Sequence, residues 1–345
     1  MAPCGTEGVA RSAAARNGMA VASAAAFTLA FRPAFRPGFV GFHRSFGARG
    51  RTPGNRDLDV NNPVFQAVIG PFVVAFLVVG ASRLVVWPTG SEVLGGLGLA
   101  AGLLMAFVQL RGIPSLPPNS APEKLFYLIT LGGLIGVALD LLGRPALIGR
   151  LAFVFFPAIC LAWFSLRQLL AGPDVWLLIK LVLMWAGAAI VLWQICVATA
   201  RCGALAGAIL ILATAVGAAG VAALAPFIGV TLLCASVAAV AGATALWAYG
   251  ARVLARAPMT IGATSLLGAA GGLVATVLLL VLFTASVSTA GAALLIAIPF
   301  AGLVAEPLLV GGGIGRRVFG PVLLTVLAAV PAAAAIGLAY LTPGQ

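Results

Sequence analysis

Three ionisable residues interrupt long apolar stretches of this 345-residue chain: Asp140, Lys180 and Glu306. Charge inside an apolar stretch is costly, so each is by default a candidate for function. Asp140 stands four residues before Arg144, which puts both on one face of a helix. A local ion pair accounts for it more simply than a proton or cation site. Lys180 follows Asp174 by six residues, about 9 Å along a helix. Its ammonium can snorkel back to the helix end, where Trp176 reads as a belt aromatic. Turned towards a helical interior, it would instead relay protons.

Glu306 is the strongest of the three. It lies in IPFAGLVAEPLLVGGGIGRR, two helical turns after Pro299 and directly before Pro307. A proline removes an N–H and leaves carbonyls of the preceding turn free. Free acceptors beside a carboxylate at a broken helix are the makings of a small-cation or proton site. Arg316 and Arg317 stand close enough in sequence to pair with it. Pro157, Pro299 and Pro307 are the expected helix breaks.

Enzymatic chemistry finds no foothold. The chain has a single histidine, His43, and neither GxSxG nor HExxH. Its five cysteines are odd in number and lack CxxC spacing, so no disulfide framework, metal site or cofactor is expected. The run Gly311, Gly312, Gly313, Gly315 lacks the phosphate-loop pattern and reads as a flexible turn. Gln66, Gln109, Gln168 and Gln194 suit hydrogen bonds between helices.

The elements that must position these residues follow from hydropathy. Hydrophobic residues make up 62% of the chain and charged residues 8%; mean hydropathy is +1.15. Soluble domains run at about 45–50% apolar and about 25% charged, which excludes an ordinary globular enzyme, a coiled coil and a disordered chain. A helix needs about 20 apolar residues to cross the hydrocarbon core. That length places spans at 63–87, 93–110, 125–142, 148–166, 175–199, 203–222, 226–249, 262–286, 289–310 and 318–341. The expected fold is an all-α integral membrane protein: a polytopic bundle of about ten transmembrane helices with short loops, so that consecutive helices pack antiparallel. The longest internal loop, from Arg111 to Lys124, holds four prolines and should be extended. Glycine pairs 98/102, 132/136, 203/207 and 268/272 have the spacing that lets helices approach closely within one chain.

Residues 1–62 differ in kind and form a separate basic, Phe/Arg/Pro-rich tail preceding the bundle at 63–345. Residues 1–56 hold eight arginines against Glu7. Within them, Phe31, Arg32, Phe35 and Arg36 belong to a basic-aromatic stretch suited to a membrane interface; a transit peptide and an untethered tail are the plainer readings. Net charge is +12, for which anionic lipid head groups are a simpler partner than nucleic acid.

Arg56, Arg111, Lys124 and Arg167 fall on the side shared with the start of the first span. Arg83, Arg144, Arg150, Arg201, Arg252, Arg256, Arg316 and Arg317 fall on the other. Four against eight favours an external start for the bundle, and counting the distal tail reverses the score. Ten spans divide into five plus five, and Pro157 and Pro299 sit centrally in the fourth and ninth. That is a faint sign of the inverted repeats of secondary transporters.

The expected function is a multi-pass permease for a small solute. The rival is a non-catalytic scaffold or assembly subunit that packs against a membrane protein partner. The expected location is a bacterial inner or plasma membrane, or an organellar membrane if residues 1–56 are a transit peptide.

Overall fold

The computed structural model describes residues 63–85, 92–118, 120–142, 146–172, 174–225, 227–255, 259–283, 289–309 and 314–341. Phe31, Arg32, Phe35 and Arg36, with the rest of the 1–62 tail, lie outside the described residues. Among the described residues all regular structure is helical, and the helices fall where the apolar runs place them. They are α1 (Pro63–Val85), α2 (Glu92–Arg111), α3 (Ala121–Leu141), α4 (Ala146–Leu170), α5 (Val175–Cys202), α6 (Ala204–Leu224), α7 (Ile228–Gly250), α8 (Ala263–Phe283), α9 (289–309) and α10 (Ile314–Leu341). Nine are long and apolar enough to cross a membrane; in α2 the apolar part is Gly96–Arg111.

Two helices are interrupted. A turn of α8, Ala263–Ser265, passes into a π-helical turn, Leu266–Ala270, before the regular helix Gly271–Phe283. In α9, Thr289–Ala297 and Ala301–Leu309 are joined by a 3-10 turn, Ile298–Phe300, around Pro299. A second π turn, Ala251–Ala255, extends α7.

The core centres on α6 and α8, where 72% and 78% of the apolar window is buried against 22% for α5 and for α10. The sequence of α6 explains its place: ALAGAILILATAVGAAGVAAL is apolar all round and carries no charge. It packs along α7 and α10, while α1 packs along α2 and α7. Gly203, at φ +87°, ends α5 and turns the chain straight into α6; a side chain would be strained there. Ala204 N–H donates to Met259 O at 3.2 Å, which brings the start of α6 to the segment leading into α8.

The glycine pairs work inside the chain. A Cβ on Gly132 or Gly136 would overlap the α8 backbone at Leu267 and Thr264; Gly268 meets Ala100, and Gly272 meets Leu103 and Ile129. The loop after α2 is pinned to α3, since Tyr127 Oη donates to the carbonyls of Pro114 and Ser115 at 3.3 and 3.1 Å. Half does not match half: α1 lies along α7 and α6 along α10. Under an inverted five-plus-five repeat these pairs would correspond to α6 with α2 and α1 with α5. Among the described residues those pairs are not packed to a comparable extent.

Candidate functional site

Glu306 sits on the second segment of α9, the nine residues Ala301–Leu309 that follow the break at Pro299. Its partner comes from the end of α5: Arg201 Nη1 donates to Glu306 Oε2 at 3.1 Å and to Oε1 at 3.4 Å. The pair is open to its surroundings, with the two side chains 57% and 31% exposed, so its contribution to stability is about 0–1 kcal/mol. One turn beyond Glu306, the backbone carbonyl of Leu309 accepts from Arg252 Nη2 at 2.9 Å. Arg252 stands in the π turn after α7, and a cation there complements the negative end of the α9 segment.

Two guanidiniums therefore hold this segment, one by its side chain and one by its final carbonyl. The Glu306 carboxylate is engaged by Arg201, and the carbonyl that ends the segment by Arg252. Arg316 and Arg317 lie outside the residues whose side chains are described.

Asp140 serves a helix it does not belong to. Its Oδ1 accepts from Ala263 N–H at 2.7 Å, and its Oδ2 accepts from Thr264 N–H at 2.9 Å and Thr264 Oγ1 at 2.6 Å. These are orphan donors of the first turn of α8, and a carboxylate there is favoured by both hydrogen bonding and the helix dipole. Gly262 and Gly136 permit the approach: a Cβ on the first would strike the Asp140 carboxylate, and on the second the Thr264 backbone. Arg144, the expected partner, lies outside the described residues. The three donors found for Asp140 make it a tertiary helix cap, an arrangement that spacing along α3 could not reveal.

Lys180 is exposed on the outer face of α5, one turn beyond Trp176, which is 75% exposed. The next twenty residues, 181–200, carry no charge, and at 1.5 Å per residue they span about 30 Å before Arg201, the thickness of a bilayer core. Lys180 and Arg201 thus mark the two ends of a membrane-length stretch. The ends of α3, α5, α7 and α9 and the starts of α6 and α8 meet at the Arg201 end. Asp140 and Glu306 share that end on different helices, and Lys180 is at the other. The three candidates do not form one site.

The prolines divide. Pro299 is buried and falls on the break in α9. Pro157 is buried inside the continuous helix α4. There Trp185 Nε1, from α5, donates to Val154 O at 2.9 Å, in the turn whose ladder the proline disturbs. Pro307 lies inside the last segment of α9 and is exposed. Of the three expected breaks, Pro299 alone interrupts its helix. Pro157 lies inside a helix that runs on past it, and Pro307 sits too near a helix end to divide it.

Deeper in the bundle, buried hydroxyls bond carbonyls of their own helix. Ser165, Thr199, Thr214, Thr244 and Thr276 each donate to the carbonyl four residues back, at 2.6–3.1 Å. Among the described residues two buried side-chain atoms lack a partner: Ser265 Oγ, at the start of α8 and beside Gly96, and Gln109 Oε1, against Gly70. Sequence reading missed Arg201, Arg252, Ala263, Thr264 and Ser265 as site residues. For the last three a signal existed in Gly262-Ala263-Thr264-Ser265, an N-terminal helix sequence without an acid of its own. Among the described residues no group of three or more His, Cys, Asp or Glu converges.

No protein-family model, no curated protein and no solved structure matches the chain.

Proposed function

We propose that this chain is a multi-pass integral membrane protein of the plasma or bacterial inner membrane that acts as a permease for a small, weakly polar solute. The observation that carries the reading is the build of α9. Its segment Ala301–Leu309 hangs from the Pro299 turn in the buried interior, and Arg201 and Arg252 hold its far end. A short helix hinged at mid-depth and tied by an exposed ion pair and one part-buried hydrogen bond is the form of a gate: hinge residues absorb the dihedral change, and the ties set which state is favoured. Glu306 acts here as a latch rather than as an ion-coupling carboxylate. The Arg-rich side of the bundle faces the cytoplasm, by the excess of positive charge in short loops.

The test is solute flux into liposomes containing the purified protein, across a panel of small neutral and weakly polar solutes. The expected result is flux above empty liposomes for a subset of the panel. In Glu306→Gln and Arg201→Gln, which loosen the latch, the rate for that subset should change by several-fold. Flux equal to that of empty liposomes for every solute, with a stoichiometric membrane partner retained in gentle detergent, would sink the permease and leave the scaffold.

A further inference from the structure

We infer that the end of the bundle where α5, α7 and α9 finish binds the phosphate of an acidic phospholipid between Arg201 and Arg252, with Glu306 as its intramolecular competitor. The inference rests on the membrane embedding proposed above and not on transport.

Glu306 and Leu309 are three residues apart on α9 and so neighbours on its last turn. Because Arg201 is held by the first and Arg252 by the second, the two guanidiniums are brought to the same turn. Cys202 reports the same convergence, since Glu306, Arg252 and Arg201 all lie within electrostatic reach of it. Arg201 engages its partner through Nη1 and Arg252 through Nη2. Each guanidinium carries five N–H donors, so both retain donors after these contacts. Among the described residues the local charge is two guanidiniums against one carboxylate, short of one anion.

The wider charge balance points the same way. In residues 57–345, eight bases and the acids Glu92, Asp140 and Glu306 fall by sequence on this side, against four bases and four acids on the other. All of the excess is therefore at one end, and Asp140 is already engaged by the α8 backbone. Guanidinium matches phosphate with paired, charge-assisted hydrogen bonds. Depth favours a lipid over free phosphate: Arg201 stands one bilayer thickness, about 30 Å, from Lys180 along α5, at the level of head groups. Arg201 is also 57% exposed, open to a molecule arriving from the membrane.

The test is retention of phosphatidylglycerol against phosphatidylcholine by the full chain in mixed micelles, counted by native mass spectrometry, with melting followed for every variant. Preferential retention of phosphatidylglycerol is expected. Arg201→Gln and Arg252→Gln should each weaken it about fivefold, what about 1 kcal/mol per basic residue at an anionic surface implies. Glu306→Gln, which removes the competitor, should strengthen it by a similar factor, and Lys180→Gln should leave it unchanged. A structural ion pair predicts the same sign for Glu306→Gln and Arg201→Gln; the proposal predicts opposite signs. If Arg201→Gln fails to fold, Arg201→Lys and Glu306→Gln carry the comparison. Equal or weakened retention in Glu306→Gln would overturn the proposal, as would displacement of the lipid by millimolar inorganic phosphate, which would make this a site for the free ion.

Discussion

Asp140 and Thr264, 124 residues apart, meet through two hydrogen bonds to one carboxylate oxygen: Thr264 Oγ1 at 2.6 Å and Thr264 N–H at 2.9 Å. With Ala263 N–H on the other oxygen, α3 supplies the N-terminal cap that α8 lacks. Asp140→Ala should therefore destabilise the bundle by about 1–3 kcal/mol, since it leaves buried donors unpaired. Thr264→Ala, which removes one donor of the three, should cost about 1 kcal/mol. Thermal melting in detergent measures both. The double variant should cost less than the sum of the singles, because both remove the same contact; strict additivity would show that Asp140 acts on something else.

The α3–α8 seam should also respond to volume. Gly136→Val should destabilise by about 2 kcal/mol or more, because the new side chain meets the Thr264 backbone, which cannot swing away as a side-chain tip can. Gly242→Ala, on α7 with nothing within 4 Å of a new Cβ, should be neutral or stabilising by roughly 0.5–1 kcal/mol, as alanine suits a helix interior better. Melting of the two variants side by side separates local packing from a general intolerance of larger residues.

At the Arg201–Glu306 pair, stability and motion should part company. Glu306→Gln and Arg201→Gln should each lower stability by no more than about 1 kcal/mol, as for any exposed ion pair. Hydrogen exchange in Ala301–Leu309 should nevertheless rise clearly. The exchanged pair Arg201→Glu with Glu306→Arg should restore protection; if it does not, the ion pair is incidental to holding the segment.

Trp185 should matter through its N–H. Trp185→Phe keeps most of the ring but removes the donor to Val154 O, at a cost of about 1 kcal/mol. In a Pro157→Ala background the cost should persist, because the regained N–H is directed at Phe153 O, four residues back, and leaves the Trp185 contact with Val154 O in place. No loss of stability in Trp185→Phe would mean that Trp185 contributes by packing alone.

The sequence by itself determined the helical class and the position of each helix, because runs of apolar residues of bilayer length, separated by short turns, leave a chain few other ways to satisfy its backbone. It also determined that Pro299 would interrupt α9 and that the paired glycines of α3 and α8 would allow close approach, both being properties of single residues and their spacing. Pro157 shows where such local rules stop: the same residue type left α4 continuous. Only the tertiary structure decided the partners of the acids. Asp140 is bonded to the start of α8, 123 and 124 residues on, and Glu306 to Arg201, 105 residues back. Helices whose exteriors are uniformly apolar carry no pattern that names a neighbour, since lipid and another helix are equally acceptable to a leucine. Which helix ends meet, and hence which charges pair, is settled by packing of shape against shape over the whole bundle.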